Sequence, residues 1–381
     1  MCYQGRVNDQ TNIAMNTKNS VFVSLISLGA LGATAESALV QADPATGPYK
    51  IVNTAQNVGA GGIDYVFADS DNRRLYVPRG DQVLVFDLDT LRSAGSITNA
   101  RARGVAVDPK SNHGFSSSSP VVMWDTKTLE KIKSIPVEGG PDGILFEPLT
   151  ERVYVFSHRA PNATVIDGKD GSVVGTIDLG GAPEQAASDG KGRMYVDIED
   201  KDKIAVVDVN TLKVVGQYDL TGKGGGPGGL GLDVKNHVLF AMCHEPPVCV
   251  VLDADDGKII TTLPIGNGTD GGGFNPATGE AFSSQRDGTL TIIKETSPTT
   301  FEVEQTVQTR QGAKTCTLDT KNNQIVLIAL ERAPAPPTTN VPTSAPAQAA
   351  APAPNQPREG GPRRGGNNNG PGTLHILVVG R

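Results

Sequence analysis

The chain has 381 residues, of which 45 are glycine and 26 proline, with a hydrophobic fraction of 38% and a formal net charge of −7. So much Gly and Pro excludes an architecture of long helices and suits many short strands joined by tight turns. The negative charge repels phosphate backbones and anionic membrane surfaces, which makes nucleic acid an unexpected partner.

Taken in chain order, the first element reads as an export signal. Lys18 supplies a positive start, residues 21–31 form an apolar run, and Val40-Gln41-Ala42 offers the small residues that a signal peptidase reads. Residues 1–42 are therefore expected to be a signal peptide, with 1–14 either an extension upstream of Met15 or the product of a misassigned start. The mature protein is expected to be secreted or periplasmic after cleavage near Ala42. The apolar run is short of the ~20 residues of a membrane span, so no integral membrane association is expected. Residues 43–381 are then read as one domain.

Self-similarity sets the fold. An acidic or amide residue follows a short apolar run seven times, at Asp69, Asp108, Glu147, Asp189, Asp233, Asn275 and Asp319, at intervals of 39, 39, 42, 44, 42 and 44 residues. Asp and Asn suit the turn after such a run because their side chains accept hydrogen bonds from nearby backbone amides. A second column falls one run later, at Asp87, Asp125, Asp167, Asp208 and Asp253, with Lys294 at the matching place in the sixth unit. Each unit holds four strand-length runs, the content of one propeller blade. The fold expected is all-β: a seven-bladed β-propeller of four-stranded antiparallel blades. The run at Lys50-Ile51-Val52-Asn53-Thr54 has no unit before it, and the last unit, from Ala313, lacks its final strand. The N-terminal strand is thus expected to complete the last blade and close the ring. Residues 333–372, rich in Pro, Ala and Gly, interrupt that blade and read as a disordered insertion; Arg358, Arg363 and Arg364 give it a small basic cluster read as solvated.

Tyr76-Val77-Pro78-Arg79, Tyr154-Val155-Phe156-Ser157 and Tyr195-Val196-Asp197-Ile198 resemble the Tyr-Val core of YVTN-type propeller repeats, and the Asp-x-x-Thr-Leu stretches at 87–91 and 208–212 are similar too. The resemblance covers about residues 49–381 without the insertion. It implies an exported, YncE-like seven-bladed propeller. Relatives of that kind range from binding proteins to lactonases, so the fold leaves function open.

In such a ring, residues five before the acidic column are expected at the mouth of the central channel: Asp64, Arg103, Asp142, Glu184, Gly228, Asp270 and Lys314. Loops about eleven residues after the column are expected to face the same end, with Arg79, His158, Arg159, Glu199, His244, Glu245, Arg286 and Glu331. Of these, Asp64, Arg103, Asp142, Glu184, Asp270, Lys314, His158 and His244 are the candidate ligand-binding set. Asp64, Asp142, Glu184 and Asp270 are the carboxylates that would hold a divalent cation such as calcium, the one cofactor the pattern suggests. Cys243 and Cys249 flank a turn-like segment and are read either as a hairpin disulfide or as two buried free thiols. No nucleophile elbow, HExxH or phosphate-loop spacing is present. The leading expectation is a monomeric binding scaffold for a small molecule, glycan or protein at the mouth. A metal-assisted hydrolase or lactonase, with His158 or His244 as general base, is the alternative. A redox-cofactor propeller is a third reading, supported by fold alone.

Overall fold

A computed structural model describes residues 47–332 and 370–381. Its strands form seven four-stranded antiparallel sheets, arranged as a ring. Blades 1 to 6 span residues 67–98, 105–135, 141–177, 183–219, 227–264 and 269–308. Within each, the strands pair in sequence order, as a meander of hairpins. Among the described residues the only helical segment is a single 3₁₀ turn at Glu199–Lys201, and no helix is long and apolar enough to cross a membrane. The expected signal peptide lies outside the described residues, as do positions 333–369 of the expected insertion.

The last blade closes as the repeat implied. Its order from the axis outward is Thr315–Asp319, Gln324–Arg332, Pro371–Gly380 and then Lys50–Ala60. Ten residue pairs, from Lys50 with Gly380 to Ala60 with Pro371, join the two ends of the chain. The start of the chain is also tied to blade 6, where the Tyr49 amide donates to Gln305 Oε1 at 2.8 Å and the Gln305 side-chain amide returns a bond to the Tyr49 carbonyl at 2.9 Å.

Both acidic columns are turn caps. The Asp69 carboxylate accepts from the Asn72 amide, Asp108 from Lys110, Glu147 from Leu149 and Thr150, and Asp319 from Lys321. In the outer column Asp87 accepts from Thr90, Asp125 from Lys127 and Thr128, and Asp208 from Asn210 and Thr211. A carboxylate at these places satisfies amides that the turn leaves without a strand partner. Lys294, in the unit that departs from the column, donates instead to the Thr278 carbonyl.

The alternating strand faces pack blade against blade. Met194, Val196 and Ile198 face blade 3, in one cluster with Tyr154 and Phe156; Tyr195, on the opposite face of the same strand, packs with Leu239, Ala241 and Cys243 of blade 5. That alternation also decides the cysteine question. Cys249 lies opposite Met242, and Cys243 opposite Val248, so the two thiols point to opposite faces of one sheet and belong to different clusters. The hairpin disulfide is not formed; both are free and fully buried. Reductant is accordingly expected to leave the melting temperature unchanged, and a drop in calorimetry on adding it would contradict this arrangement.

Candidate functional site

The mouth residues owe their aim to irregular strands. The innermost strands of blades 3 to 6 each carry a register break, between Pro141 and Ile144, Pro183 and Ala186, Pro227 and Gly229, and Thr269 and Gly272. Asp142, Glu184, Gly228 and Asp270 sit inside those breaks. A bulge releases a residue from the ladder and turns its side chain out of the pleat, here toward the axis. Asp64, Arg103 and Lys314 precede the first strands of blades 1, 2 and 7.

Six of the seven column residues carry charge, and they pair around the rim. Lys314 contacts Asp270 and lies 3.7 Å from Asp64; Arg103 lies 3.0 Å from Asp64 and 3.6 Å from Asp142. His158 continues the series, with Nε2 3.4 Å from Asp142 and 3.0 Å from Glu184. The Tyr65 hydroxyl of blade 1 donates to Glu184 Oε2 at 2.8 Å. At blade 5 the column holds Gly228, and the imidazole of His244 occupies its place: a Cβ on Gly228 would lie 2.8 Å from His244 Nε2. His244 is in turn 4.0 Å from Glu199.

All of these except Tyr65 and Gly228 line a cavity of about 930 Å³, which also takes in Asp200, Asp202, Glu245 and Arg286. All eight candidate binding residues reach it. Other loop residues do not. Arg79 is 1% exposed and turns away, donating to the carbonyls of Gly59, Ala60 and Gly372. It fastens both chain ends to blade 1. Glu331 pairs with Arg310 and His375 in a separate groove on blade 7, and Arg159 lines a smaller side cavity.

Of the four carboxylates expected to share a cation, Asp64 and Asp270 are engaged by Arg103 and Lys314, while Asp142 and Glu184 converge with His158. The ligand atoms of that trio lie within 4.8 Å of one another. Burial pushes the Asp142 carboxyl up to about 6, with Asp64 and Glu184 adding to the rise and Arg103 and His158 opposing it. The hydrogen bond with Glu184 lifts His158 above its usual value, and the charges of Glu184 and Asp142 add to that. Burial opposes ionisation of Glu184, but the bonds from His158 and Tyr65 outweigh it and hold that carboxyl below its usual range.

Asp142 therefore keeps its proton in the folded protein at pH values where the unfolded chain has released it. Its contribution to stability is present below about pH 4 and is lost as pH climbs through about 6. The raised His158 acts in the same direction from about 6.5 upward. The melting temperature of Asp142→Asn minus that of the wild type is expected to grow between pH 4 and 6 and then level. A difference independent of pH would refute this assignment.

Two further groups, both interacting with Glu184, were not singled out by the sequence pattern. Tyr65 is adjacent to Asp64 and follows from the same column. Asp197 sits at the fifth position of its strand, where blades 1, 3 and 5 have Pro78, Phe156 and Met242. It is fully buried, neither carboxyl oxygen has a hydrogen-bond partner, and burial, aided by the charge of Glu184, raises its pKa well above the usual range. Leu has the same branched shape, so Asp197→Leu is expected to raise stability by about 1–3 kcal/mol at pH 7. A lower melting temperature would show that the carboxyl has a partner.

No family model matches the chain, and no curated protein matches it either. Solved structures do match. One described as "Structure of U3-55K" aligns with a TM-score of 0.60 over 71% of this chain and 90% of its own, at 10% identity. At that identity the likeness is one of fold.

Proposed function

We propose that this protein is a β-propeller binding scaffold whose mouth takes a small cationic or polyhydroxylated ligand. One observation carries the reading: the mouth cavity is lined by eight carboxylates, two histidines and only three permanent cations. The cations are spent unevenly. Lys314 and Arg103 neutralise the rim at blades 6, 7, 1 and 2, leaving the negative surplus around Asp142, Glu184, Glu199 and Glu245. Carboxylates in a concave, partly desolvated cleft attract ammonium groups and accept hydrogen bonds from hydroxyls. The volume falls within the range of small-molecule sites. A YVTN-type, YncE-like origin and a life outside the cytoplasm fit this reading, and the export pattern at the N-terminus supports the latter. Calorimetric titration should show butylamine binding where butyrate does not, with affinity lowered about tenfold by Glu184→Gln. Equal behaviour of amine and carboxylate would end the proposal.

The Asp142, His158 and Glu184 trio supports a second reading, a metal-assisted hydrolase. Two carboxylates and an imidazole are a ligand set suited to a divalent ion that polarises a carbonyl. His158 would then be a ligand, leaving His244, the other histidine lining the cavity, as general base. Equilibrium dialysis against calcium and zinc tests this: a stoichiometric ion lost in Asp142→Asn supports it, and absence of binding removes it.

A further inference from the structure

Beneath the mouth a second cavity of about 550 Å³ runs down the axis. Glu184 and Asp270 line both spaces, so the mouth and the channel meet at these two carboxylates, with Tyr65 beside the join. The channel wall is unlike the mouth. Phe67, Ile144, Phe146, Phe274 and Leu318 reach it from blades 1, 3, 6 and 7, each only partly buried. No lysine, arginine or histidine lines it; its charged residues are all acidic, with Glu184 and Asp270 at the mouth end and Asp69 and Asp71 after the first strand of blade 1. Asp69 is occupied by its own turn and Asp71 by Lys321.

From the apolar wall and the acidic end we infer that the channel holds the hydrocarbon tail of a cationic amphiphile, a long-chain amine whose head sits at Glu184, the one of the two carboxylates at the join that is not paired with a lysine or arginine. This rests on the mouth being a cation site and adds what lies beyond the cation. An apolar chain gains from leaving water along the part of this wall that the core packing leaves exposed. An acidic head is excluded because the charged residues of the channel wall are all carboxylates, and the one lysine at the join, Lys314, is already held by Asp270. Gln185 keeps the bore open on one side: its side chain is fixed to the wall, donating to the Gly272 carbonyl at 2.8 Å and accepting from the Leu230 and Gly272 amides.

The test compares decylamine, butylamine and decanoate by calorimetry, below micellar concentrations, on the full chain carrying Cys2→Ser. Decylamine should bind more tightly than butylamine, by about tenfold for each two methylenes added until the channel is full. Decanoate should not bind. Decylamine should also slow alkylation of Cys316, which lines the channel, whereas Cys243 and Cys249 are fully buried. Ala186→Phe narrows the bore and should bring decylamine down to the affinity of butylamine; if that variant does not fold, protection of Cys316 decides. Equal affinities of the two amines would overturn the channel inference and leave the mouth reading standing. Failure of both amines to bind would overturn the mouth reading itself. Equal binding of decylamine and decanoate would show non-specific apolar uptake and overturn the cationic head.

Discussion

A chain that begins after Ala60 is expected to lose the folded ring. The strand it would lack forms ten residue pairs with Pro371–Gly380, which carries fully or almost fully buried Leu374, Ile376 and Val379. At roughly 0.5–1.5 kcal/mol for each backbone bond, the lost pairing is comparable with the whole stability of a typical domain, about 5–15 kcal/mol. The truncation also removes Tyr49 and its two bonds to Gln305, and it exposes a long unpaired edge, the usual route to aggregation. Circular dichroism and size-exclusion chromatography should show an unfolded or associating protein, and a synthetic peptide of residues 47–60 should restore part of the cooperative melt. A monomer melting at the wild-type temperature would refute the closure. Arg79→Leu is the graded form of the same experiment. It leaves the strand but removes the guanidinium that holds Gly59, Ala60 and Gly372, for a loss of about 2–4 kcal/mol.

Gly229→Ala is the second large effect expected. Blades 5 and 6 approach so closely at the axis that a Cβ at Gly229 would lie 2.8 Å from the Gly271 carbonyl carbon and 2.9 Å from the Gly272 nitrogen. Gly231 is in the same position, 2.8 Å from the Gly273 carbonyl oxygen. These are backbone atoms of a neighbouring sheet, so no rotamer change relieves the contact and the blades themselves must separate. A loss of about 3 kcal/mol is expected in denaturant unfolding, with Gln185 losing its bonds to both blades at once. Gly216→Ala is the control. Its nearest neighbours would be the Val206 side chain at 3.6 Å, an ordinary contact, and its stability should change by less than about 1 kcal/mol. Equal effects at the two positions would mean that generic strand propensity, not the close approach of blades, sets the cost.

The repeat was legible because each unit obeys local rules. A strand, a carboxylate that caps its turn and a second strand recur within some forty residues, and every cap is satisfied within three or four positions along the chain. The mouth column was legible for the same reason: a fixed offset within a repeat becomes a fixed height in the ring. That is why Asp64, Asp142, Glu184 and Asp270 gather at one cavity though far apart in sequence. The other offset, the loops about eleven residues after the column, failed for Arg159, which lines a side cavity, and for Arg79 and Glu331. Glu331 lies in the closing blade and Arg79 beside it, where the last unit is shared between two chain ends and the neighbours differ from those of an interior blade.

By itself, the amino-acid sequence determined the number of blades, the pairing of the chain ends and the set of charged groups brought to the axis, because those follow from spacing and from hydrogen bonds made a few residues away. The tertiary structure alone decided how those charges are shared. Asp64 and Asp270 are neutralised by Arg103 and Lys314, Asp142 and Glu184 meet at His158, Asp197 is buried without a partner, and Cys243 and Cys249 are turned to opposite faces. Those outcomes depend on the register of strands and on contacts between blades about forty residues apart or more, where distances of a few ångströms set both protonation and pairing.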